Sequence, residues 1–247
     1  MKAVQSLLPL SSLEPRKLKR TGYVPAFLGG GLLAGLVPFI NMTVRPTMFT
    51  TQPGSPFHIL MDANWQLMAQ LNILLLVCGA CILYHTEYEG NAIQKTETLP
   101  VTPFFLFLGK LGILILSCLL PLCLEAISLL LCCMHWFPDD AAVGMLLIKG
   151  IAFEFALMLP TAAAMLFISS ICRNMWICLG TGVILVFMTS VLPADNAVMA
   201  MLPFVSPYRI LHRLSHTQTF HMLAGCAGEI VLFCLLETIY LKIRRLS

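Results

Sequence analysis

The sequence predicts an all-α membrane protein with six transmembrane helices in one domain over 1–247. Three observations carry the prediction. Of 247 residues, 58% are hydrophobic and only 11% charged, and the mean hydropathy is +0.87. Soluble domains hold roughly 45–50% apolar and about 25% charged residues, so a water-soluble globule would lack the polar surface to cover itself. The same composition excludes a disordered chain and a nucleic-acid-binding module. Second, six apolar segments are each long enough to cross hydrocarbon about 30 Å thick. Third, the basic residues are distributed asymmetrically between the segments that join them.

The six predicted spans are 24–44, 67–86, 104–134, 143–170, 176–192 and 220–241. Each must be helical, because hydrocarbon offers unpaired backbone groups no partner. The first holds Gly29, Gly30, Gly31, Ala34 and Gly35, small residues that let helices approach closely in lipid. The third is longer than a span needs, which sets its start at the interface. The fourth is interrupted by Lys149, Glu154 and Pro160.

With the N-terminus inside, the inner segments carry eleven of the fifteen Lys and Arg residues, and the outer loops carry Arg45, Arg209 and Arg213. Lys149 lies within the fourth span. This bias places both termini in the cytoplasm. Residues 1–22 are expected to lie on the cytoplasmic surface. The short run Leu7–Leu10 is broken by Pro9 and followed by Arg16, Lys17, Lys19 and Arg20, unlike a cleavable signal. The ten cysteines fall almost entirely inside apolar runs, where free Cys packs as a small hydrophobe. Cys78 and Cys81 have a redox spacing but no βαβ context.

Two connections exceed what joining helices requires. Residues 87–103, between the second and third spans, form a polar cytoplasmic segment. Residues 193–219, outside, contain an apolar patch punctuated by Pro193, Pro203 and Pro207. The patch is too short to span but suits a re-entrant hairpin buried in protein.

The chain has no phosphate-binding loop, no zinc-protease helix and no nucleophile elbow. No catalytic residue and no cofactor of its own is therefore expected. His212 and His216, spaced i,i+4 beside Arg209 and Arg213, can be weighed as a metal pair. The loop brings them no acidic or Cys ligand, so contact with lipid headgroups is the expected role and no metal site is predicted. The charges within spans are Glu125, Lys149, Glu154, Glu229 and Glu237. Counted from the outer ends, Glu125, Lys149 and Glu229 lie roughly 9–14 Å deep. A charge at a helix centre costs roughly 2.5–3.5 kcal/mol, which predicts a Glu125–Lys149 pair between neighbouring spans. Such a pair serves packing or a transport pathway equally well. Isolated acids would also suit a proton-coupled carrier, although the internal repeat of such carriers is missing.

Three stretches resemble a known family. The lead-in Leu13-Glu-Pro-Arg-Lys-Leu-Lys-Arg-Thr21 resembles the Glu/Lys-Leu-Lys-Arg start that precedes the first helix of type-2 ABC exporter permeases. Within that class the chain looks most like the lantibiotic-immunity permeases. Glu87-Tyr-Glu89-Gly90, followed by Leu99-Pro-Val101 and Gly109-Lys-Leu111, resembles their Glu-x-Glu-x-Gly, Leu-Pro-Ile/Val-Ser and Gly/Ser-Lys-Leu segment. The outer stretch 193–219 resembles their re-entrant hairpin. Thr102 stands near the usual Ser, and Pro15 interrupts the lead-in.

The resemblance implies a permease subunit without an ATPase site. A separate ABC ATPase dimer would bind ATP and Mg and dock on 87–103, with Glu87, Glu89, Gly90, Lys95 and Glu97 as coupling residues. It also implies a second, non-identical permease subunit and an antimicrobial peptide as cargo. The setting it implies is the cell membrane of a Gram-positive bacterium. A drug or lipid cargo, and an ion-coupled carrier using Glu125, Glu154 and Glu229, are the alternatives.

Overall fold

Helices account for all the long regular elements of the computed structural model, which describes residues 18, 21–88, 103–137, 143–192 and 197–244. In chain order they are α1 (Tyr23–Val44), the short α2 (Pro46–Thr50), α3 (Pro56–Tyr88), α4 (Pro103–Trp136), α5 (Val143–Ile171), α6 (Met175–Val191), the short α7 (Ala197–Ala200) and α8 (His216–Arg244). Five of them are long and apolar enough to cross a membrane. The sixth apolar helix, α6, has 17 residues, about 25 Å at 1.5 Å per residue. Most of the expected surface segment 1–22, and Glu89, Gly90, Lys95 and Glu97 of 87–103, lie outside the described residues.

The helix α3 begins well before the apolar run at 67 and has 33 residues. Asp62, Asn64 and Gln66 lower the hydropathy of its first turns. Yet Ile59, Leu60, Met61, Trp65 and Met68 there are all buried, at spacings that keep one face turned inward. Pro56 opens the helix, where a missing N–H costs nothing.

The central helices are α3 and α5, and α3 packs against α1, α4, α5 and α6. The outer helices each bury one stripe. On α6 it is Cys178, Gly182 and Val186. On α8 it includes Met222, Cys226 and Glu237. On α1 it runs through Tyr23, Phe27, Gly31, Ala34, Gly35, Pro38 and Met42.

The small-residue cluster does what close approach in lipid requires. A Cβ at Gly31 would stand 2.7 Å from Pro121 Cα of α4. Four residues on, Ser128 Oγ of α4 donates to the Gly35 carbonyl. Gly29, on the same helix, has open space where its Cβ would be. Gly31→Ala is therefore expected to destabilise the protein by about 1–3 kcal/mol, as overpacking does. Gly29→Ala should leave thermal unfolding in detergent unchanged. Equal midpoints for the two variants would contradict this contact.

The hairpin before α8 is packed into the bundle. Phe204, Val205, Ser206, Pro207 and Ile210 are buried. Trp65 Nε1 of α3 donates to the Pro207 carbonyl at 2.9 Å. From α5, Thr161 Oγ1 donates to the Pro203 carbonyl, and Ser206 Oγ donates to the Leu157 carbonyl at 3.3 Å. Thr161 lies well inside α5, about 27 Å along its axis from the start. The hairpin thus descends beside α5 instead of lying across its end.

Candidate functional site

The C-terminal end of α3 carries a buried ionic and hydroxyl network. Glu87 and Lys110 are 5% and 3% exposed, and Lys110 Nζ stands 2.9 Å from Glu87 Oε1. The same ammonium lies 5.0 Å from the centroid of the Tyr84 ring. Tyr84 sits three residues before Glu87, one helical turn along the same face. Its hydroxyl donates to Glu237 Oε1 at 3.0 Å. Glu237 Oε2 accepts from Ser170 Oγ at 2.5 Å, and Tyr88 Oη donates to the Ser170 carbonyl at 2.7 Å. One connected set of polar groups thereby joins α3, α4, α5 and α8.

Glu87, expected as a contact for a docked subunit, is buried in the bundle. Its carboxylate pairs with Lys110 inside the bundle. The two ends of the second resembling segment, Glu87 and Lys110, meet each other. Glu237 completes the network. Its sequence signal was an acid inside the last apolar segment, which composition alone gave no partner.

The Glu125–Lys149 pair is also corrected. Glu125 is fully buried and accepts instead from Asn72 Nδ2 of α3 at 3.0 Å. Lys149 is exposed on the bundle surface. Equal depth does not fix rotation about the helix axis. On α5, Lys149 and Glu154 are five residues and so about 140° apart, which puts one outside and the other inside.

Glu154 is fully buried, and neither carboxylate oxygen has a hydrogen-bond partner among the described residues. Glu125 lies near enough to act on it electrostatically. Glu229 on α8 is half-buried. A buried polar group without partners costs about 1–3 kcal/mol. Glu154→Leu should therefore raise thermal stability by that order while impairing function, the trade seen where a site keeps a costly group. A Glu154→Leu variant less stable than the parent would contradict the account of this position.

At the hairpin end, Arg213 Nε donates to Asp62 Oδ1 at 2.6 Å, and His212 Nε2 lies 3.0 Å from the same oxygen. The His212 ring stacks on His58 with centroids 4.2 Å apart and planes 17° from parallel. Asp62, absent from the sequence-based site, comes from the polar first turns of α3. Sequence reasoning missed it because those turns read as a loop. His216 opens α8 and is exposed, whereas His212 sits in the 3-10 turn Leu211–Arg213. They do not share the helical face that an i,i+4 metal pair needs. Arg209 is half-buried in the hairpin. Among the described residues, no cluster of three His, Cys, Asp or Glu side chains could hold a metal ion.

The arrangement ties four helices together. Neither a curated protein nor a solved structure matches the chain. The family model described as ABC-2 family transporter protein matches residues 10–189, which takes in α1 through most of α6 and, with them, Glu87 and Lys110. Membrane components of this family are typically permeases whose ATPase is a separate subunit. On this match, which covers well over half of the sequence, the chain belongs to the ABC-2 family of transporter proteins.

Proposed function

We propose that this chain is the permease subunit of an ATP-driven exporter that expels a lantibiotic or related antimicrobial peptide from a bacterial cell membrane. The observation that carries the coupling is the buried Glu87–Lys110 pair with its extension through Tyr84 to Glu237 and Ser170. An ATPase dimer, holding ATP and Mg, docks on 87–103 through Glu89, Gly90, Lys95 and Glu97. A displacement of that segment pulls on Glu87. Through the network it is passed to α4, α5 and α8 together, as a rigid unit and not one helix at a time. Six spans with both termini in the cytoplasm put the hairpin on the outside, where it re-enters the outer leaflet and meets the peptide first. A second, non-identical permease subunit faces this one across the pathway.

The test is survival. Cells carrying the chain with its ATPase and partner permease should tolerate a lantibiotic that kills cells lacking the chain, and should release membrane-bound labelled peptide to the medium. Unchanged killing across a panel of lantibiotics, with export of a drug or lipid intact, would assign another cargo. The partnerless Glu154 carboxylate, near Glu125, favours one second reading, an ion-coupled carrier. Export that persists without ATP and collapses with the proton gradient would establish that reading in place of this one.

A further inference from the structure

Between the first turns of α3 and α5 and the hairpin lies a cavity of about 260 Å³. Its walls include Phe57, Leu146 and Ile210, and its polar lining is Lys149, His58 and His212. The polar groups are unbalanced. The carboxylate beside them, Asp62, is already engaged by Arg213 and His212. Lys149 lines the cavity, is exposed at the bundle surface, and has no acidic partner among the described residues. Such a site is complementary to an anion.

Size and surroundings narrow the ligand. Pockets for drug-sized molecules run to roughly 300–1,000 Å³, so this one is too small to enclose a peptide. Its volume matches a phosphate group with its first carbons. Lys149 is flanked on the surface of α5 by Met145 and Ile148, 68% and 69% exposed. The cavity's lysine therefore stands beside an exposed apolar stretch of α5. It lies six residues, about 9 Å, from the start of α5, a depth at which a lysine reaches headgroups.

From this juxtaposition we infer that the cavity is a binding site for the phosphate of an anionic phospholipid, held by Lys149, with the acyl chains lying along Met145 and Ile148. His58 and His212 close its far wall. The assignment makes no use of peptide export, so either can fail while the other stands.

The test uses the assembled complex in phosphatidylcholine nanodiscs doped with phosphatidylglycerol, with retained lipid identified by native mass spectrometry. The complex should retain phosphatidylglycerol over phosphatidylcholine. Lys149→Gln should lower that retention about tenfold, the loss of one charge-assisted hydrogen bond, and Lys149→Arg should keep it. Leu146→Trp, which fills the cavity and spares the lysine, should abolish the preference. Excess inorganic phosphate should not displace the lipid. Equal retention of the two lipids, no effect of Lys149→Gln and Leu146→Trp, or displacement by inorganic phosphate alone would each overturn the assignment.

Discussion

Lys110→Met is expected to destabilise the protein by about 3–5 kcal/mol, because it leaves the buried Glu87 carboxylate without its cation. The side chain is nearly the same length, so lost packing contributes little. Its ammonium also leaves the face of Tyr84, a contact worth up to about 2 kcal/mol when desolvated. Neutralising both members, as in Glu87→Gln with Lys110→Met, should recover most of the loss. A buried pair replaced by neutral groups of similar volume is often close to neutral in stability. The check is a double-mutant cycle on the detergent-extracted protein, followed by thermal unfolding. A strong interaction between the two sites is expected, since residues in contact fail additivity. Additive effects would mean that the pair does not hold the helices. The cycle also separates stability from coupling. The double variant should be folded yet export poorly, because a neutral contact transmits less force between α3 and α4.

Trp65→Ala should cost a similar amount, about 3–5 kcal/mol, by emptying a fully buried aromatic site. Trp65 is 0% exposed, and its indole N–H is the anchor of the hairpin on α3. Trp65→Phe keeps most of the apolar contact and leaves the Pro207 carbonyl unpaired, a loss of about 1–3 kcal/mol. The two variants therefore divide packing from hydrogen bonding. Limited proteolysis reads the hairpin directly. In Trp65→Ala, cleavage within 201–213 should precede global unfolding. Cleavage no faster than in the parent would mean that Thr161 and Ser206 suffice to hold it.

How much of this was legible follows from the physics of lipid. The helices could be read because hydrocarbon leaves the backbone no alternative, and the glycine stripe of α1 because close packing needs small residues. The first turns of α3 could not be read from hydropathy. Asp62 and Asn64 are polar yet built into the bundle, Asp62 against Arg213 and Asn64 against Asn41. Glu87 and Lys110 each stood in a recognisable segment, but nothing in either segment says that it faces the other. The error over Lys149 has the same root. Depth along a helix can be counted from the sequence, whereas the direction a side chain takes depends on which neighbours pack around it. Glu237 shows the limit from the other side. Its partners Tyr84 and Ser170 come from two helices far away in sequence, and neither announces itself as a hydrogen-bond donor to an acid.

A separate ATPase is expected to drive this bundle through the 87–103 segment. The most direct test is to purify the tagged chain from gently solubilised membranes of its own cells and assay ATP hydrolysis. An ABC ATPase should co-purify and hydrolyse ATP. Charge reversal at Glu89 and Glu97, which spares the buried pair, should release that ATPase while the permease stays folded. A chain that purifies without an ATPase under conditions preserving membrane complexes, or an ATPase held equally well by the charge-reversed variant, would contradict it.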